Sequence, residues 1–162
     1  MLFRSAEGSE ITAAHPYLAS FGVGRDDGVA AGEHSPILYR RDRLGLLRGG
    51  TFWLSDTPDV IASKTWGNQI TRICTYALFQ DRETGQRFWV FNAHLDHQSQ
   101  PSREKSTALM LSRARDEAKT DPVLILGDFN AGEENPAVKA ILASGYRDTF
   151  RVLHPDVREV GT

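Results

Sequence analysis

The sequence predicts an α+β fold built around one sheet, and three stretches predict it. Pro122-Val123-Leu124-Ile125-Leu126-Gly127-Asp128-Phe129-Asn130 holds four successive apolar residues closed by a glycine, the pattern of a short strand buried on both faces. Thr71 to Phe79 alternates, Asp81 to Gln86 is a polar loop, and Arg87 to Asn92 returns, which makes a β-hairpin. Between these, Pro101 to Lys119 places Thr107, Met110, Leu111, Ala114 and Ala118 at helical spacing, so a helix with one core-facing stripe joins the hairpin to the strand.

The remaining elements follow in order. Met1 to Tyr17 gives a weak helical pattern with Ile11, Ala14 and Leu18 as its apolar face, and His15 before Pro16 reads as surface at its end. Phe21 to Gly28 is a glycine-rich charged loop, without the strand and helix flanks of a nucleotide-binding loop. Strands are expected from Ser35 to Arg41 and from Leu44 to Leu54, with Gly49-Gly50 as a bend or bulge. Phe52 and Trp53 read as core packing rather than a stacking platform. Pro101 is tolerated in the first helical turn, and Arg103, Lys105, Arg113 and Arg115 are expected to face water. Asn135-Pro136 starts a further helix with Val138, Ile141 and Leu142 inside and Gly145 past its end; Asp148 beyond it reads as structural.

Composition narrows the function classes. At 162 residues the chain reads as a single domain, 1–162, long enough to bury a core. A net charge of -2 supplies no overall basic field for nucleic acid. Arg40, Arg41, Arg43 and Arg48 lie close together, either as a local basic patch or, as favoured here, as a solvated strand edge. The single cysteine, Cys74, sits within an alternating strand and reads as a buried thiol. No apolar run approaches the roughly 18 residues that span a bilayer. No signal peptide is visible, so a reducing, cytoplasmic setting is the default expectation, with secretion left open should a leader precede.

The chemistry concentrates where two strands end. Asp128 and Asn130 stand one residue apart past Gly127, where a carboxylate and an amide can share one water, one metal or one phosphate; an Asx turn is the plainer alternative. Phe88-Trp89-Val90-Phe91 delivers Asn92-Ala93-His94-Leu95-Asp96-His97, two imidazoles and a carboxylate at another strand exit. An antiparallel hairpin also sets Arg72, at the start of its first arm, beside His94 at the end of its second. A guanidinium there suits a phosphate, or else a nearby carboxylate.

With Asn92-Ala93-His94-Leu95-Asp96-His97 followed by Gly127-Asp128-Phe129-Asn130, the chain resembles the endonuclease/exonuclease/phosphatase superfamily, whose members carry an Asn-Thr-His-Leu-Asp-His-like motif and a Gly-Asp-Phe-Asn motif on neighbouring central strands. Thr51-Phe52-Trp53-Leu54-Ser55-Asp56-Thr57-Pro58 is similar to a signature of one bacterial branch. The resemblance implies a four-layer αββα sandwich and a metal-dependent phosphoesterase. Asp128 would orient or deprotonate the attacking water, Asn130 would bond that water or the phosphate, and His94 would donate to a phosphate oxygen as charge develops. Mg²⁺ is the implied cofactor, with Mn²⁺ as the alternative, and Asp128 and Asn130 are its candidate ligands. The family's loop similar to Gly24-Arg25-Asp26-Asp27-Gly28 precedes a pair matching Gly32-Glu33 at the active-site rim, so Arg25 and Glu33 are candidate substrate contacts, with Arg72, Asp96 and His97 in supporting places. A zinc site of His94, Asp96 and His97 is disfavoured by its tight spacing.

The match also has gaps. Family members begin with a strand carrying an Asn and a Gln-Glu pair whose Glu ligates Mg²⁺, and end with an Asp-His pair on a last strand. Neither is found here; the chain stops at Val160-Gly161-Thr162. The expectation is therefore an incomplete sandwich, an internal piece of a hydrolase with little turnover of its own, or a non-catalytic binding module. The implied substrates are phosphoesters: nucleic acids, lipid head groups or sugar and inositol phosphates. The protein is expected to be monomeric.

Overall fold

The structure, a computed structural model, describes residues 3–157. Met1, Leu2 and the final stretch with Val160-Gly161-Thr162 lie outside the described residues. The elements run β1 (Phe3–Arg4), α1 (Ser5–Ala14), β2 (Leu18–Phe21), β3 (Glu33–His34), β4 (Ile37–Arg40), β5 (Leu44–Trp53), β6 (Ile73–Asp81), β7 (Arg87–His94), α2 (Gln100–Ala118), β8 (Val123–Asp128), α3 (Pro136–Ala143) and α4 (Thr149–Leu153). The expected hairpin, main helix and closing strand are all present. The predicted first helix ends earlier than its pattern suggested, because Leu18 belongs to β2.

A four-stranded sheet in the order β5-β6-β7-β8 carries the molecule. Its first three strands pair antiparallel; β8 joins β7 in parallel, after the crossover through α2. Alternation along β6 and β7 builds two cores at once. Cys74, Leu78, Trp89, Phe91 and Ala93 face Met110, Ala114 and Ala118 of α2 and Ile141 of α3. Ala77, Phe79 and Val90 face the other way, onto Ile37, Phe21 and Tyr39 of the β2–β4 pair. Helices, sheet and second sheet therefore stack in layers, the α+β sandwich arrangement that the sequence predicts. Each large apolar side chain so buried contributes about 1.5–3 kcal/mol. Trp89 and Phe91, 1% and 0% exposed, also stack with Tyr76 at centroid separations of 6.0 and 5.7 Å. Cys74 is buried as expected, and burial pushes its thiol well above the usual range.

Four expectations need correction. The Val123 strand is not buried on both faces: β8 lies at the sheet edge among the described residues, with Leu124 50% and Leu126 40% exposed. Val123 and Ile125 pack on the helical side, while the second sheet, which ends over β6 and β7, leaves the opposite side of β8 uncovered. The bulge in β5 falls between Leu46 and Arg48 rather than at Gly49-Gly50. Gly49 instead permits close strand approach, because a Cβ there would meet Tyr76 O at 2.4 Å. Leu142 is exposed, and Ala137 and Ile141 fill the inner face of α3. Two of the four helical cations also bind protein groups: Arg103 donates to Gln100 Oε1 and Asp96 O, and Arg113 to Asp59.

The arginines read as a solvated edge do behave as one. Arg40 pairs with Asp42, Arg43 with Asp81 and Glu83, and Arg48 with Glu117, while Arg41 donates to Leu18 O, so three of the four charges meet a carboxylate. No described helix is long and apolar enough to cross a membrane.

Asp81 closes the β6–β7 hairpin. It accepts from Arg43 Nε and Nη2 and from the backbone N–H groups of Glu83 and Thr84, and the Arg43 guanidinium first, then those amides, lower its carboxyl to about 2. A carboxyl depressed in the folded state stabilises it fully above the unfolded value of 3.8 and loses that contribution as pH falls towards 2. Denaturant titrations between those limits should show stability falling with acid, and Asp81→Asn should flatten that limb while lowering stability at neutral pH.

Candidate active site

Gly127 sets the geometry of the strand exit. Its φ of +136° is open to glycine, and a Cβ there would lie 1.9 Å from Ala93 O on the paired strand. Directly beyond it, His94 and Asp128 are register partners across the parallel pair. His94 Nε2 stands 4.0 Å from Asp128 Oδ2. Leu95 N donates to Asp128 O at 2.9 Å, and Asn130 Nδ2 donates to Leu95 O at 3.0 Å, so both exits are stitched together. Asn130 adopts a positive φ of 46°, and its backbone N–H donates to Asp128 Oδ1 at 2.9 Å. The Asx turn and the functional couple are thus one structure: the turn occupies Asp128 Oδ1, leaves Oδ2 facing the imidazole, and the Asn130 amide is anchored on Leu95 O.

The glycine-rich loop closes the third side. Arg25 Nη1 donates to Glu33 Oε2, and the same oxygen approaches His94 Nδ1 to 3.2 Å. That approach is off the hydrogen-bonding direction, and Nδ1 has no hydrogen-bond partner. Asp27 Oδ1 accepts from the N–H groups of Val29, Ala30 and Ala31 at 2.7, 2.9 and 2.9 Å, which rigidifies the loop and holds its carboxyl below the usual range. The Trp53 indole donates to Arg25 O at 2.7 Å, and Leu54 N donates to Arg72 O at 2.8 Å. The aromatic signature thus does more than fill the core: it places the backbones of two candidate cations.

Of the eight expected residues, His94, Asp128, Asn130, Arg25 and Glu33 come together at one rim of the sheet. Arg72, Asp96 and His97 form an adjoining cluster. Arg72 and Asp96 are 2% and 1% exposed, so neither opens to solvent as a substrate contact would. Asp96 Oδ1 accepts from Gln98 N and Ser99 N at 3.0 and 2.7 Å, while Oδ2 lies 3.4 Å from Arg72 Nε. Arg72 Nη2 is 2.8 Å from His97 Nδ1, which leaves His97 as the exposed member. Sequence reasoning missed Arg103, whose Nη1 holds Asp96 O at 2.7 Å from the first turn of α2. It also missed Asn92, buried on the His94 face, whose Nδ2 donates to Pro36 O at 2.8 Å and ties β7 to the second sheet. Asp148, read as structural, caps α4 by accepting from Arg151 N.

Burial, then the positive charge of Arg72, lower the His94 pKa below its ordinary 6.5; Glu33 and Asp128 oppose them. The cleft's oxygen-only set at Asp128 and Asn130 suits a hard cation in kind. It does not complete a coordination shell, and among the described residues no three His, Cys, Asp or Glu side chains are grouped to hold a metal.

No protein-family model matches the sequence. Solved structures do resemble it. An endonuclease/exonuclease/phosphatase from Bacteroides vulgatus is 34% identical with a TM-score of 0.84, over 86% of this chain and 53% of that one. A mannosyl-6-phosphatase from Bacteroides thetaiotaomicron is 36% identical with a TM-score of 0.83, over 86% of this chain and 53% of that one. An uncharacterized protein of Acanthamoeba polyphaga mimivirus is 36% identical over 86 residues, 51% of this chain and 31% of that protein. The class defined by the layered sheets and the paired strand exits is an α+β sandwich with an acid, an amide and an imidazole in one cleft. The resemblance to the endonuclease/exonuclease/phosphatase family therefore holds in fold as well as in motif, and the chain spans about half the length of the solved structures it matches.

Two outcomes follow. Gly127→Ala should lower stability by about 1–3 kcal/mol from the backbone conformation alone, more with the clash against Ala93, as read by chemical denaturation. Because the folded His94 resists protonation, stability should be full above about pH 6.5 and fall as pH drops below it, until the folded imidazole also charges. His94→Gln should remove that slope.

Proposed function

We propose that the cleft of His94, Asp128 and Asn130 belongs to a phosphoester hydrolase in which an activated water attacks phosphorus. The observation that carries this reading is the register of the two strand ends, which sets an imidazole 4.0 Å from a half-exposed carboxylate and anchors the Asn130 amide between the two exits. Asp128 Oδ2 orients and deprotonates the water. Asn130 Oδ1 accepts from that water without adding negative charge. His94, aimed by β7, donates from Nε2 to a non-bridging oxygen whose charge grows in the transition state. Arg25, held by Glu33, lends positive charge at the rim.

A hard divalent cation, Mg²⁺ or Mn²⁺, fits the oxygen donors of Asp128 and Asn130 and would supply charge neutralisation at the phosphate, its other positions filled by water and substrate oxygens. The substrate class favoured is a sugar phosphomonoester. Asp26, Glu33 and Asp128 give the rim carboxylates that repel a long polyanion yet hydrogen-bond hydroxyls, and one of the similar solved structures is a mannosyl-6-phosphatase.

The test is phosphate release from hexose 6-phosphates, p-nitrophenyl phosphate and an oligonucleotide, each with Mg²⁺ or Mn²⁺. Asp128→Asn should reduce release by at least about 100-fold with the fold retained. Full activity in that variant removes Asp128 from its role. Binding of inorganic phosphate at the cleft with no turnover of any substrate favours the binding module instead.

A further inference from the structure

His97 is the exposed end of a contact chain that begins in the core. Arg72, 2% exposed, precedes β6, and Asp96, 1% exposed, follows β7. The guanidinium faces Asp96 Oδ2 through Nε at 3.4 Å and His97 Nδ1 through Nη2 at 2.8 Å. A guanidinium only donates. His97 Nδ1 therefore accepts, and the ring proton sits on Nε2, a tautomer dictated by the partner rather than chosen.

Each member of the chain is itself fixed. Asp96 is locked by the N–H groups of Gln98 and Ser99, and its carbonyl by Arg103 Nη1. The backbone carbonyl of Arg72 is held by Leu54 N. Burial disfavours the Arg72 charge; the Asp96 carboxylate in contact works against that, with a smaller contribution from Glu33. An apolar side chain would fill the same space without that penalty, so the pairing is weak as a source of stability. It does hold an exposed imidazole in a single orientation and a single protonation pattern. Cys74 pairs with Ala93 at the sheet end where His94 pairs with Asp128, so Arg72, two residues before Cys74, stands at the same rim as the proposed phosphate site.

We propose that Arg72 is a positioning residue that fixes His97 with Nδ1 accepting and Nε2–H turned outward, and that this N–H donates to a phosphate oxygen of the substrate. The second half of that statement rests on the phosphoesterase reading; the first does not. A fixed neutral donor binds a phosphate oxygen directionally without the long, flexible reach of a lysine.

Long-range ¹H–¹⁵N spectra of the imidazoles in the full chain, at one neutral pH, test both halves. The wild type should show His97 wholly as the Nε2–H form. Arg72→Met combined with Asp96→Asn, which leaves no carboxylate buried without a partner and keeps an acceptor for Gln98 and Ser99, should release a mixture of the two forms. Inorganic phosphate added with Mg²⁺ should move the His97 ring signals, and His97→Ala should weaken phosphate binding roughly three- to tenfold, the net worth of one hydrogen bond. A tautomer mixture in the wild type overturns the positioning role, whether or not the double variant folds. Phosphate shifts at His94 without any at His97 overturn the donor role and leave the phosphoesterase reading standing. Shifts at neither histidine overturn both.

Discussion

The parallel pairing of β7 with β8 is the constraint on which the site depends. Parallel strands leave a sheet at the same end, so the residues that follow them share one rim. Here the last pair in register is His94 with Asp128, and the chain stitches the exits with Leu95 N to Asp128 O and Asn130 Nδ2 to Leu95 O. Neither interaction is strong alone, about 1 kcal/mol net for an ordinary hydrogen bond. Together with the 19-residue α2 that returns the chain, they leave the imidazole and the acid-amide couple little freedom to separate.

The rest of the molecule serves that rim in layers. The aromatic core under α2 holds β7 flat against its neighbours, and Asn92 ties the same strand to the second sheet through Pro36 O. The end of β5 anchors both candidate cations by their backbones, Arg25 through the Trp53 indole and Arg72 through Leu54 N. The charges are arranged so that each cation meets a carboxylate: Arg25 with Glu33, Arg72 with Asp96. The oxygen left free is Asp128 Oδ2, beside an imidazole that burial and Arg72 keep from charging readily.

Much of this was legible in the sequence because it rests on local periodicity. The hairpin from Thr71 to Asn92, the α2 stripe and the Asn135 cap all follow from spacing and turn chemistry. Antiparallel geometry alone put Arg72 and His94 at the same end of the hairpin, though the Arg72 side chain turns to Asp96 and His97. The burial of β8 was misread because four apolar residues describe a strand without saying whether another layer covers it; Leu124 and Leu126 lie beyond the reach of β2 and β4. Leu142 was misread for the same reason. Asp96 was taken as a contact when it is a buried turn-former, since a carboxylate that caps Ser99 and one that meets a ligand look alike in a motif. Arg103 carried no signal beyond a place in a helix, and the Trp53–Arg25 contact joins residues 28 apart that no local pattern links.

The central claim is that both strand exits address one ligand. Paramagnetic broadening by Mn²⁺, followed residue by residue in the amide spectrum of the whole chain, tests it most directly. Titration with Mn²⁺ should broaden His94, Leu95, Asp128 and Asn130 together and first, with diamagnetic Mg²⁺ competing the effect away and Asp128→Asn abolishing it. Broadening confined to one exit, or centred on surface carboxylates such as Asp42 and Glu134 while both exits stay sharp, would contradict a shared site.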